Sequence, residues 1–89
     1  MIEVKFSSSF ERAFKKWKKH HPELLETFLE RFVTFCANPN HPQFKTHKLS
    51  GNLKDFWSFS INYSYRVVFY YLSESQVLFE DIGTHDEVY

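Results

Sequence analysis

The apolar side chains of this chain change their spacing part-way along it. Phe10, Ala13, Phe14 and Trp17 recur at i, i+3, i+4 and i+7, whereas beyond residue 54 the apolar residues come in short runs on alternating positions. A period near 3.6 lines up one face of a helix, and a period of 2 lines up one face of a strand. The chain must therefore be helical first and sheet-forming later, an α+β fold. Ile2, Val4 and Phe6 alternate with Glu3 and Lys5, which predicts a short strand ahead of the helices. Ser7-Ser8-Ser9 supplies N-cap hydroxyls, and Glu11, Lys15, Lys16, Lys18 and Lys19 fill the polar positions of the first helix. His20-His21-Pro22 interrupts it, because the residue before a proline avoids the helical region and proline suits the first turn of a new helix. Leu25, Phe28, Leu29, Phe32 and Phe35 or Cys36 then form a second apolar stripe, which Asn38-Pro39 ends. After a loop from Pro39 to about Asn52, residues 54 to 61, 65 to 72 and 76 to 82 read as strands. Asn62-Tyr63-Ser64 and Ser73-Glu74-Ser75 are short enough to join them as hairpins. The expected order is βααβββ: an N-terminal strand, a helical hairpin and a three-stranded antiparallel meander, in one domain over residues 1–89. Where the first strand joins the sheet stays open.

A chain of 89 residues buries only about 60 to 65% of its unfolded surface, so its core needs large side chains. Eleven Phe, five Tyr and two Trp supply that area without disulfides or a metal. Cys36 is the only cysteine and lies in an apolar helical stretch, so it reads as a small buried hydrophobe in a reducing compartment. No run approaches the roughly 20 apolar residues of a membrane span, and the first six residues alternate charge with apolar groups. The expectation is a soluble, cytoplasmic protein without a membrane partner. Eleven Lys plus Arg balance eleven Asp plus Glu, so any binding of nucleic acid must come from a local patch.

The strands are apolar on both faces. Trp57, Phe59 and Ile61 share one face with Phe56 on the other, and Val67, Phe69 and Tyr71 oppose Val68, Tyr70 and Leu72. A helical hairpin covers only one face. The other is a lined cleft, a surface that another chain covers, or a surface closed by the long loops and the C-terminus.

The chain carries no glycine-rich phosphate loop, no HExxH, no CxxC and no G-x-S-x-G, and no metal or cofactor is expected. Of five histidines, His20, His21 and His41 sit beside prolines in turns, where solvated side chains are the ordinary outcome. His47, in Lys45-Thr46-His47-Lys48, and His85, in Gly83-Thr84-His85-Asp86, are better placed. Arg66 lies in the run Tyr65 to Tyr70, where a guanidinium is costly unless it meets a carboxylate, a phosphate or solvent. An ion pair with Glu80 or Asp81 is one answer. If the last strand pairs with residues 65 to 72, His85 and Tyr89 emerge near the end where Arg66 starts, which gathers a proton carrier, a phosphate clamp and a phenol. Such a group suits metal-free RNA cleavage, in which the 2′-hydroxyl attacks the adjacent phosphate while a base, a cation and an acid assist. Histidine titrates near neutrality and serves as acid or base.

Three stretches carry a resemblance: His47-Lys48-Leu49-Ser50-Gly51 through Trp57, Tyr65-Arg66-Val67-Val68-Phe69-Tyr70, and Ile82-Gly83-Thr84-His85-Asp86-Glu87-Val88-Tyr89. Together they resemble the RelE/ParE superfamily of type II toxins, and within it the YafQ-like and HigB-like branches. The resemblance implies a compact α+β toxin paired with a cognate antitoxin and cutting mRNA on the ribosome. It also implies that His85 is the C-terminal acid or base, Tyr89 the phenol that closes the site, Arg66 the phosphate-binding arginine and His47 the loop histidine of YafQ-like members. Lys45, Lys48 and Lys54 form the basic cluster for RNA. Trp57 and Phe59 stand where RelE carries lysines, and Ser60 falls where YafQ-like members carry a histidine. The same superfamily includes ParE-like toxins that poison DNA gyrase without chemistry, and a degenerate member could keep antitoxin binding alone.

Overall fold

The computed structural model describes residues 1–51 and 55–88, and its elements follow the expected order with short additions at three places. Strand β1 (Glu3–Phe6) leads into helix α1 (Ser8–His20), and a 3₁₀ turn at Pro22–Leu24 precedes helix α2 (Leu25–Ala37). A second 3₁₀ turn (Pro42–Phe44) and a two-residue strand β2 (His47–Lys48) lie in the segment expected to be an irregular loop. Strands β3 (Trp57–Ser60), β4 (Tyr65–Ser73) and β5 (Gln76–Thr84) form the meander, and a short helix α3 (His85–Val88) follows directly.

Local chemistry accounts for the helix ends. Ser7 is extended, and its Oγ accepts the Phe10 N–H at 3.0 Å, which starts α1. Pro22 opens the next turn, where its missing N–H costs nothing.

The sheet has the order β1-β5-β4-β3-β2. Strands β3, β4 and β5 pair antiparallel, and β1 joins the outer edge of β5 in parallel, with Val4 opposite Val77. This places the strand whose position the sequence left open. The helical hairpin covers the face that carries Phe59, Val67, Phe69, Val77 and Phe79, all buried. Phe35 of α2 is fully enclosed and stacks on Phe59 with ring centroids 4.4 Å apart, in edge contact with Phe69 and Phe79. Phe44, from the supposed loop, is equally buried against Phe35 and Phe59.

Two expectations about α2 need correction. Leu29 of the predicted stripe is 52% exposed, while Phe28 and Phe32 of the same stripe pack inward as expected. Cys36 is half-buried rather than buried, and burial pushes its thiol pKa up, which lowers its reactivity.

The face away from the helices is partly closed from within the chain. Ser58, Ser60 and Val68 on it are buried, and α3 folds back against Gly83 of β5. Only Leu72, at the far end of β4, is strongly exposed among the apolar residues expected there.

Candidate functional site

The sheet register decides which candidate residues share a surface. Cross-strand partners project to the same face. His47 pairs with Ser58, Ser58 with Val68 and Val68 with Asp81, which makes one row across four strands. The adjacent row is Ser60, Arg66 and Gly83. Both rows lie on the face away from the helical hairpin. Lys48, one residue from His47, pairs with Trp57 and projects to the opposite face. Phe59, like Trp57, shares that opposite parity and is buried under the helices, so these positions build core rather than a surface for RNA.

Arg66 is half-buried, and Nη1 donates to the Ser60 hydroxyl. Among the described residues it forms no ion pair, so the expected partners Glu80 and Asp81 do not hold it. A guanidinium has five N–H donors, and one hydroxyl uses a single one. Asp81 instead accepts the Ile82 N–H at 2.8 Å.

Beyond Gly83 the chain bends into α3, and His85 is its first residue rather than the end of a strand. Thr84 N–H donates to Glu87 Oε1 at 2.8 Å, and Glu87 N–H donates to Thr84 Oγ1 at 3.3 Å. His85 is mostly exposed, with Nδ1 3.6 Å from Asp86 Oδ1. His47 is exposed at the other edge of the sheet, its Nδ1 3.0 Å from the Lys45 carbonyl. One strand, β3, lies between it and Arg66, and these two strand spacings amount to about 10 Å across the sheet. The structure therefore places Arg66 next to the α3 end that carries His85 and leaves His47 at the far margin of the same face. Lys45 is exposed in a left-handed conformation with φ 49°, and Lys48 is exposed beside it on β2. Tyr89 and Lys54 fall outside the described residues.

The matching protein family is the bacterial toxin of type II toxin–antitoxin system, YafQ, and the match spans residues 2–89. The chain belongs to the YafQ toxin family. A comparison with curated protein sequences found no match. Solved structures similar to this YafQ-family toxin share its fold. A metal-bound toxin from Helicobacter pylori has a TM-score of 0.79 at 23% identity, with 100% of each chain covered. YafQ from E. coli strain BL21(DE3) has a TM-score of 0.78 at 20% identity, covering 100% of this chain and 99% of its own. A YoeB/ParE toxin from Agrobacterium tumefaciens has a TM-score of 0.75 at 16% identity, covering 94% of this chain and 99% of its own.

The structure of this YafQ-family chain also shows polar groups that sequence reasoning passed over. His21, expected to be a solvated turn residue, is half-buried, and its Nε2 lies 2.8 Å from the Tyr65 hydroxyl. The two rings pack 4.8 Å apart, beside Trp17. They line an open cavity of about 520 Å³ that also meets Lys16, His20, Asp81 and Glu87. No local signal marks this pairing, since 44 residues separate its partners. The cationic run of α1 was readable, however. Arg12, Lys15, Lys16, Lys18 and Lys19 are exposed against a single acid, Glu11, so the net charge of zero hides a strongly basic helix flanking the cavity.

Burial raises the Asp81 carboxyl pKa, the Ile82 N–H lowers it and the charge of Glu87 raises it again, with a net upward shift. A raised carboxyl makes folding less favourable once the group ionises. That loss sets in as pH rises through the unfolded value of about 3.9 and is complete above the folded value. Asp81→Asn keeps an oxygen for the Ile82 N–H and removes the charge. Its melting temperature at pH 7 is expected to exceed the parent's by a few degrees, with the two converging below about pH 4. Equal melting temperatures throughout would show that Asp81 carries no such penalty.

Proposed function

We propose that this toxin is a ribosome-dependent mRNA endonuclease that works without a metal and is neutralised by a cognate antitoxin. The observation that carries this reading is Arg66, a half-buried guanidinium bound by one hydroxyl and by no carboxylate among the described residues, beside the strand end from which His85 emerges. A half-buried cation without a carboxylate suits an anion from outside, and the guanidinium fork matches two oxygens of a phosphate.

In the proposed reaction the RNA 2′-hydroxyl attacks the neighbouring phosphorus, forming a 2′,3′-cyclic phosphate and expelling the 5′-oxygen. His85 moves one of the two protons, Arg66 stabilises the charge that builds on the phosphoryl oxygens, and Tyr89 closes the site. His47 and the exposed Lys45 beside it extend the surface along the RNA, whereas Lys48 projects to the opposite face. The cationic face of α1 supports the same reading, because it concentrates phosphate affinity in one place despite the neutral total. An antitoxin partner is supported by the E. coli DinJ–YafQ toxin–antitoxin complex. Its toxin shares the fold with a TM-score of 0.76 at 20% identity, covering 99% of this chain and 97% of its own.

The test is expression from a tightly controlled promoter, followed by measurement of protein synthesis, mRNA ends and plasmid supercoiling. Growth arrest is expected with new mRNA ends inside translated regions, and both should vanish when the neighbouring antitoxin gene is co-expressed. Arrest with intact mRNA and collapsed supercoiling would replace this reading with gyrase poisoning.

A further inference from the structure

We propose that Thr84 and Glu87 are positioning residues that hold His85 where it moves its proton. The inference rests on the assignment of His85 as proton carrier. Its basis is the reciprocal pair of hydrogen bonds between Thr84 and Glu87, at 2.8 and 3.3 Å, which brackets His85 within one turn. Thr84-His85-Asp86-Glu87 is a capping box, in which the N-cap hydroxyl and the third-residue carboxylate each bind the other's backbone N–H.

A helix of four residues cannot hold its own shape in water, because helix nucleation is unfavourable until many more bonds form. The cap and the seat against β5 therefore fix α3. Gly83 supplies the seat, since a Cβ there would approach Val88 Cγ1 to 3.1 Å and Glu87 Oε1 to 3.2 Å. The Glu87 carboxyl pKa is lowered by the Thr84 N–H first and the Thr84 hydroxyl second, with Lys16 and His21 adding to the effect. The ionised form is thus the one the turn binds. His85 is 62% exposed, so its backbone position governs where its ring can reach. Displacing a reacting group by about 1 Å can cost on the order of 10²-fold in rate.

The test compares cap-breaking with cap-keeping variants of the full chain: Thr84→Val and Glu87→Ala against Thr84→Ser and Glu87→Gln. In single-turnover mRNA cleavage on programmed ribosomes, the first pair is expected to lose about 10- to 100-fold in rate constant. The ribosome concentration at half-saturation should not change. The Ser and Gln variants should cut near the parental rate, because each keeps the oxygen that accepts the N–H. Imidazole ¹⁵N spectra supply a readout independent of cleavage: the His85 resonances should shift or broaden in the first pair and stay parental in the second. Folded Val and Ala variants with parental rates and parental His85 spectra would overturn the proposal. So would a Glu87→Gln protein as slow as Glu87→Ala, which would assign the effect to charge. Should the parent itself cut no mRNA, the nuclease reading fails, and the His85 spectra alone decide whether the cap positions the ring.

Discussion

His85→Ala is expected to cut mRNA on programmed ribosomes on the order of 10² to 10⁴ times more slowly than the parent, the range that a positioned acid or base contributes. The loss should fall on the rate constant for cleavage, with ribosome affinity nearly unchanged, because the proton moves only in the transition state. Folding should be spared. His85 is the first residue of α3 and mostly exposed, and the cap that holds this turn comes from its neighbours Thr84 and Glu87. A melting temperature within a few degrees of the parent's is therefore part of the expectation, as is unchanged affinity for the antitoxin. A well-folded His85→Ala protein that cuts at the parental rate would remove His85 from the mechanism.

For Arg66 the informative substitution is lysine. Arg66→Ala removes charge and shape together, and on the proposed mechanism its cleavage should fall by about 10² to 10³, as when one preorganised donor to a developing oxyanion is lost. It also leaves the buried Ser60 hydroxyl without the Nη1 donor that it accepts from. Some of any loss of stability would then reflect that hydroxyl rather than the phosphate site. Arg66→Lys keeps a positive charge and a donor within reach of Ser60 but loses the planar fork that grips two phosphate oxygens at once. Its rate should drop by at least about tenfold while its melting temperature stays close to the parent's. Parental cleavage by a folded Arg66→Lys protein would show that a point charge suffices there. Raising the salt concentration should weaken ribosome binding of the parent and of both variants, because the α1 cations are untouched by either change, with a slightly shallower dependence for Arg66→Ala, which has lost one phosphate contact.

The two departures noted in the sequence take on different meanings in the fold. Trp57 and Phe59 have helix-facing parity, and Phe59 fills the core beneath Phe35, so aromatic residues there cost the opposite face nothing. Ser60, in contrast, lies in the same row as Arg66 and binds it directly. If any position tunes the chemistry of this chain away from its relatives, Ser60 is the one in contact with a candidate catalytic group.

The α+β class, both main helices, the three meander strands and their hairpins were written in local spacing. A helix or strand declares itself within a few residues, through the period of Phe10 to Trp17 or of Val67 to Tyr71. The capping box Thr84-x-x-Glu87 was equally local and marks the turn that carries His85, although the stretch read as a strand end. The segment from Pro39 to Asn52 shows no period, so neither the burial of Phe44 nor the pairing of His47 with Ser58 could be read from it. Tertiary structure alone decided that β1 lies beside β5, that Arg66 meets Ser60 rather than Glu80 or Asp81, and that His21 meets Tyr65. Each of these depends on which strand lies next to which, and in what register. A shift of one residue in pairing turns every side chain of a strand to the other face. The spacing of residues along one strand fixes what alternates, but only the packing of the hairpin against the whole sheet fixes which alternate faces the core and which faces the candidate site.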